Sequence, residues 1–354
     1  MAWSLLRWNP FKQHLSEEEL INKTNDTMNK YHLKGRVVLV DQHRNLNLSI
    51  GIGLADFTNQ IRNDNPAVVY PSASLQKSMT AAMMVQLINK SQSSEQQLSQ
   101  FTTIETWFPN LIGAETISLG NLLTQTSGIR DSDHEVDLGT TLIEDEAISA
   151  TITRINKVGL KSKVFNYNND NFILLAGIIR QITGESYANN LQKRIIEPLE
   201  LKHSFMWHAV PDNFIKSRSY EAISDDYQNE AAVSDSLVST IVGAGNMFTT
   251  PEDYYQFQIG LVNGKILNTA DFGYLSHLKT KSVTGYAGGF YFRNRNNIKN
   301  VYGSLVDNHF GNWMQMSSDN QKGIILFVNQ TSVIKNGSRG DTIKQAGIEI
   351  LRNL

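Results

Sequence analysis

The chain has no cysteine among its 354 residues. That excludes disulfide bonds and any thiol nucleophile. Its eight histidines are scattered, without the H-x-x-x-H or C-x-x-C spacing that would suggest a metal site. No stretch reaches the roughly 18 apolar residues that a membrane-spanning helix needs. There is no basic block, heptad series or long repeat, and with 19% charged residues and a formal net charge of −2 nothing points to nucleic acid. The opening residues, Met1-Ala2-Trp3-Ser4-Leu5-Leu6-Arg7-Trp8, lack the basic start, apolar centre and small-residue cleavage site of a signal peptide. Two readings stay open. Either the protein is cytoplasmic, or residues 1–15 are an extension left after removal of an export or anchor segment.

What is present is enough sequence for a large core in two lobes. Ser16-Glu17-Glu18-Glu19 predicts a capped helix start with acids in its first turn, running to about Tyr31. Strands are expected at 36–41 and 47–56, joined by a polar turn at 42–44. They return late, at 285–294, 300–307, 312–318 and 323–329. Residues 341–354 carry apolar positions at helical spacing. Between 91 and 235 the pattern is helices and long loops with little strand signal. The expected fold class is α/β (α+β), an antiparallel sheet flanked by terminal helices. Residues 16–90 and 236–354 would build that lobe, with 91–235 as an inserted all-helical lobe and the active site in the cleft between them.

Chemistry concentrates at Ser74-Leu75-Gln76-Lys77. An apolar helical run follows at 79–88, so Ser74 stands at a helix start with Lys77 three residues on, sharing its face. Free N–H groups and the dipole make that end positive. A partly desolvated lysine there loses preference for its charged form and can take the serine proton. Two other S-x-x-K matches, Ser276-His277-Leu278-Lys279 and Ser332-Val333-Ile334-Lys335, do not open a long apolar helix. Tyr167-Asn168-Asn169 precedes a second apolar helix. Tyr167 near cationic groups is expected to have a lowered phenol pKa and to shuttle protons. Asn169 is expected to hold Lys77 and a substrate amide. His309-Phe310-Gly311 is the third candidate: a glycine on a cleft-lining strand and a histidine able to carry a tunable charge.

These elements, in this order, resemble the serine hydrolase family of class C β-lactamases, DD-peptidases and related esterases, whose S-x-x-K motif Ser74–Lys77 matches. Ile117-Ser118-Leu119-Gly120-Asn121-Leu122-Leu123-Thr124-Gln125-Thr126-Ser127-Gly128-Ile129 resembles that family's ITLRHLLTHTSGL segment. Gly243-Ala244-Gly245-Asn246-Met247-Phe248-Thr249-Thr250-Pro251-Glu252-Asp253 is similar to AGGLxSTAxDL, and 167–187 and 195–201 match two further segments. The resemblance implies a β-lactamase/transpeptidase-like fold and a cofactor-free acyl-enzyme mechanism. It makes Ser74 the nucleophile, Lys77 its activator, Tyr167 the general acid/base and Asn169 its support. His309 would stand for the Lys or His of the third motif, with Gly311 as its glycine. The oxyanion hole would be the N–H groups of Ser74 and Asn312. Phe310 replaces a hydroxyl residue that binds substrate carboxylate, which implies poor use of β-lactams and D-Ala peptides. The implied substrates are small molecules or peptidoglycan- and teichoic-acid-type polymers bearing D-alanyl groups, outside the cytoplasm of a bacterium. A carboxylesterase for small esters is the alternative within the class. A catalytically silent cell-wall peptide-binding or sensor protein is the alternative outside it.

Overall fold

The computed structural model describes residues 14–130, 135, 137–305, 308–332 and 339–354. The N-terminal extension therefore lies almost wholly outside the described residues, as does most of the Ser332–Lys335 motif. One sheet holds β1 (Lys34–Asp41), β2 (Leu46–Ile52), β3 (Ser219–Ala222), β4 (Gln228–Ala231), β5 (Tyr286–Ala287), β6 (Phe290–Arg293), β7 (Ile298–Ser304), β8 (Gly311–Ser317) and β9 (Lys322–Ser332). Its antiparallel path is β5-β6-β7-β8-β9-β1-β2, so strands from both chain ends meet at its centre. Where β8 ends, β3 takes over the edge of β9 in parallel, and β4 pairs with β3.

The two central strands read as unbroken apolar runs because both their faces are covered. Val37 and Leu39 of β1 join Ile324, Leu326 and Val328 of β9 on the outer face. There they pack against Leu20 and Met28 of α1 (Glu17–Lys30) and Ile343, Ala346 and Ile350 of the terminal helix. Val38, Val40, Ile325 and Phe327 point inward to the main core, with α2 (Lys77–Ser91) and the helices beyond it. The start of α1 has the expected capping box, with Glu19 N–H donating to Ser16 Oγ at 3.2 Å and Ser16 N–H donating to Glu19 Oε2 at 2.8 Å.

The stretch expected to lack strands does contain α3 (Glu144–Val158) and α4 (Asp170–Thr183). It also contributes β3 and β4 to the main sheet. Phe205–Met206 and Ile215–Lys216 join Val68–Pro71 and Met247–Thr249 in a four-stranded sheet. Strands this short carry too few residues for an alternating pattern to show. That second sheet delivers the nucleophile: Val68–Pro71 leads straight into Ser74, and Ser72 N–H donates to Met247 O at 2.8 Å. The last helix is α5 (Arg339–Leu351).

Lys299 on β7 is fully buried, with Nζ 4.8 Å and 5.4 Å from the ring centres of Phe272 and Phe290. Its Nζ has no hydrogen-bond partner, and burial lowers its pKa to about 7. Between that value and the ordinary lysine value near 10.4, the unfolded chain binds more protons, so this residue makes stability rise with pH. Lys299→Met is expected to stabilise the protein at pH 7 by a few kcal/mol and to flatten the rise in stability from pH 7 to 10. Urea unfolding at several pH values measures both, and an unstable, equally pH-dependent variant would refute the account.

Candidate active site

Ser74 sits in a 3₁₀ turn, Ala73–Gln76, that runs into α2. Ala73 just before it has φ +46°, the left-handed region that non-glycine residues seldom enter. That bend presents Ser74 to a cavity while keeping the residue 9% exposed. Lys77 has no exposed surface and makes two hydrogen bonds, to Ser74 Oγ and to Ala244 O, each 2.9 Å. The segment around Gly243-Ala244-Gly245 thus supplies a backbone acceptor for the lysine. Burial lowers the Lys77 pKa to about 7, against a smaller opposing effect of Glu135.

Tyr167 comes to the same point. Lys77 Nζ lies 5.1 Å from the centre of its ring, and its hydroxyl interacts with that of Ser74. The expected direction of its pKa was wrong. Burial drives the phenol well above its ordinary value, because no fixed positive charge faces it once Lys77 is neutral. The loop carrying Tyr167 is anchored by Gln125, which has φ +60°. Asn166 N–H donates to Gln125 O at 2.9 Å and Asn168 N–H to Gln125 Oε1 at 3.0 Å. Gln125 was noticed only as part of a resembling segment; its positive φ and buried contacts are what reveal its positioning role.

Asn169 lines the cavity but does not hold Lys77. Its Nδ2 donates to Glu135 Oε1 at 3.0 Å. Lys77 is satisfied by Ala244 O instead.

The third element needs correction. His309, Phe310, Gly311 and Asn312 do not line the cavity. His309 N–H donates to Ser219 Oγ at 3.2 Å on β3, and its ring faces Asn229, Glu221 and Arg339. Burial, then Arg339, lowers its pKa. Phe310 is fully buried, so it touches no substrate. Gly311 sits on the outer face: a Cβ there would meet Ile343 Cδ1 of α5 at 2.2 Å. Asn312 cannot lend its N–H to an oxyanion, because β8 is paired on both sides, with Gly303 and with Phe327 opposite it. Its side chain has another use, donating to Pro71 O at 2.7 Å and Ser72 O at 3.1 Å and so fixing the approach to Ser74.

The strand that lines the site is β7. A Cβ on Gly303 would lie 2.9 Å from Ser74 N and 3.2 Å from Ala73 Cβ, so only glycine lets this strand pass the nucleophile. β6 pairs with β7 only as far as Asn300, which leaves the edge beyond it to face the Ser74 turn. The residues of this strand that line the cavity are Tyr302, Gly303, Ser304 and, just past its end, Leu305. Val301 is buried in the core, and the Tyr302 ring packs towards Gly340 of α5. The signal in the sequence was a glycine inside a strand pattern.

The cavity in front of Ser74 has a volume of about 380 Å³. Its walls come from β7, from Ala147, Ala150 and Arg154 of α3, from the 167–170 loop, and from Glu135. Among the described residues no cluster of His, Asp or Glu could hold a metal ion, and no helix is long and apolar enough to cross a membrane.

The family model described as Beta-lactamase matches residues 20–346. The chain belongs to the Beta-lactamase family. Among its relatives, penicillin-binding protein PbpX of Bacillus subtilis is 27% identical over 304 residues, 83% of this chain and 70% of that one. A teichoic acid D-alanine hydrolase of Staphylococcus aureus is 27% identical over 267 residues, 72% of this chain; the match spans 62% of that protein's length. The fold matches the crystal structure of FmtA from Staphylococcus aureus, with a TM-score of 0.77, 21% identity, and 96% and 88% of the two chains covered. It also matches D-amino acid amidase from Ochrobactrum anthropi, with a TM-score of 0.74, 19% identity, and 95% and 98% covered. The Beta-lactamase-family fold, with its antiparallel sheet and flanking helices, is therefore the one expected from the sequence.

Two glycines separate the two placements of the third element. Gly303→Ala is expected to slow labelling of Ser74 by a fluorophosphonate at least about tenfold, since a displacement near 1 Å at a reacting group costs up to about 10². Gly311→Ala is expected to lower thermal stability through Ile343 while labelling at the wild-type rate. The reverse pattern in time-resolved labelling would restore the 309–311 segment to the site.

Proposed function

We propose that this Beta-lactamase-family protein is a serine hydrolase that cleaves D-alanyl esters of a cell-wall polymer of the teichoic-acid type, working outside the bacterial cytoplasm. The observation that carries the chemistry is the 2.9 Å contact between the desolvated Lys77 amine and Ser74 Oγ at the wall of a cavity. The substrate class is supported by the similarity to a teichoic acid D-alanine hydrolase.

Above pH 7 the Lys77 amine is neutral and has a lone pair. The Ser74 hydroxyl then donates to it, while an amine N–H keeps Ala244 O. Ser74 Oγ attacks the ester carbonyl as its proton passes to Lys77 Nζ. The carbonyl oxygen becomes an oxyanion held by the Ser74 N–H and by an N–H on the open edge of β7, which we assign to Ser304. Tyr167, protonated at all working pH values, gives its proton to the departing alkoxide and is reprotonated by the Lys77 ammonium. The acyl group is now an ester of Ser74. Water attacks it and loses its proton to Lys77, and the Lys77 ammonium returns that proton to Ser74 Oγ as the C–O bond breaks, which releases D-alanine and restores the Ser74 hydroxyl and the neutral amine.

This division of labour fixes the pH dependence. Lys77 must be deprotonated, so the acylation rate should rise with pH, half-maximal near pH 7, and level off above it. Ser74→Ala should reduce ester hydrolysis by several orders of magnitude. Tyr167→Phe should slow acylation by about 10² to 10⁴ with little change in binding. Stopped-flow acylation from pH 5 to 9 measures all three. A rate that falls across pH 7, or a Ser74→Ala protein with more than about a hundredth of wild-type activity, would refute the mechanism.

A further inference from the structure

We propose that Tyr286 is a positioning residue for Tyr167, its ring holding the Tyr167 hydroxyl against Ser74 so that the departing alkoxide is protonated. This rests on the hydrolase reading above and adds to it a residue that acts through the general acid.

Backbone contacts alone do not fix that hydroxyl. Gln125 holds the loop on either side of Tyr167, at Asn166 and Asn168. The hydroxyl sits at the far end of the ring, so a small rotation about χ1 carries it off Ser74. On one side the ring faces the Lys77 amine, 5.1 Å from its centre. On another it meets Tyr286 edge to face, with ring centres 5.8 Å apart and planes at 88°. Aromatic pairs favour this arrangement, because the positive rim of one ring meets the negative face of the other. A Tyr167 ring swung away from Ser74 loses that contact.

Tyr286 is itself firmly held. It is buried, and it stands on β5 opposite Tyr291 of β6. Its ring centre lies 4.9 Å from that of Tyr291 and 5.7 Å from that of Phe165, two residues before Tyr167. In the turn after β5, Gly288 N–H donates to Leu123 O at 2.8 Å, which ties this hairpin to the segment leading into Gln125. One aromatic cluster thus joins the sheet to the Tyr167 loop. Burial drives the Tyr286 phenol pKa well above its ordinary value, so it stays neutral beside Tyr167. Tyr291 lines the cavity and Tyr286 does not, so Tyr286 reaches the reaction through Tyr167. Its effect should therefore scale with how much the leaving group needs a proton. An ethoxide must be protonated as it departs, and a 4-nitrophenolate need not be.

The test uses the full chain and two esters that share one acyl group, D-alanine ethyl ester and D-alanine 4-nitrophenyl ester. Fluorophosphonate labelling run to completion normalises each rate to folded protein. Tyr286→Leu should lower kcat/KM for the ethyl ester by about 10- to 100-fold, the cost of displacing a reacting group by about 1 Å. The same variant should keep kcat/KM for the nitrophenyl ester within about threefold of wild type, since that step needs no general acid. Tyr286→Phe should keep the wild-type ratio of the two values, because it keeps the ring. Tyr286→Met, whose flexible side chain adapts to the gap, gives the same reading where the leucine variant does not fold. In a Tyr167→Phe background Tyr286→Leu should cost the ethyl ester nothing further, because the hydroxyl it would misplace is gone. Equal losses on both esters, a further loss in the Tyr167→Phe background, or a Tyr286→Phe protein as impaired as Tyr286→Leu would overturn the assignment. Ser74→Ala, run on both esters, keeps the two readings apart. Ser74-dependent turnover with equal losses removes the role of Tyr286 and leaves the hydrolase. No Ser74-dependent turnover of either ester removes both.

Discussion

The site depends on the burial of one amine. Lys77 is placed on the first turn of a helix enclosed by the main core, and it makes two hydrogen bonds, to Ser74 Oγ and Ala244 O. Two neutral acceptors cannot offset the loss of water around an ammonium, so the group gives up its proton near pH 7. Much of the neighbouring backbone serves this one placement. Ala73 accepts a left-handed φ to turn Ser74 towards Lys77, and Gly245 and Gly303 leave room for Ala73. Asn312 holds the two carbonyls that precede the turn.

The same burial decides what Tyr167 can do. A phenol beside a permanent cation would ionise easily and compete with lysine as the base. Beside a neutral amine and an aromatic wall that includes Tyr286, it holds its proton more tightly than free tyrosine. The two residues are thus driven apart in pKa by one cause. The lysine falls into the working range as base, and the tyrosine rises out of it to serve as donor. Paired groups whose environments separate their pKa values are a recurrent way to assign acid and base at neutral pH.

Much of this was legible in residue patterns, and the exceptions have physical reasons. β1 and β9 were visible because burial on two faces demands unbroken apolar runs. Ser74, Lys77 and Tyr167 were visible because they stand at the entries of strongly apolar helices. The third element was misplaced because His309-Phe310-Gly311 has the right residue types, while the stretch that does line the cavity, Tyr302-Gly303-Ser304-Leu305, has no basic residue to mark it. What singles out Gly303 is a distance to Ser74 across more than two hundred residues of chain, and no local pattern encodes it. Glu135 was missed for a related reason. It lies in an acidic stretch whose ordinary reading is a solvated loop, and its meaning comes only from contact with Asn169. The short strands β3 and β4 were missed because two or three alternations look like loop.

The charges of the cavity make one consistent arrangement. Glu135 pulls Lys77 towards its protonated form, but desolvation is the larger effect and wins. Had Glu135 won, Lys77 would stay protonated at neutral pH and the base would be spent. Arg154 on the cavity wall is ion-paired with Asp170. Lys77 works as a base only with desolvation the stronger of these two effects. That order is set by how completely α2 and its neighbours enclose Lys77.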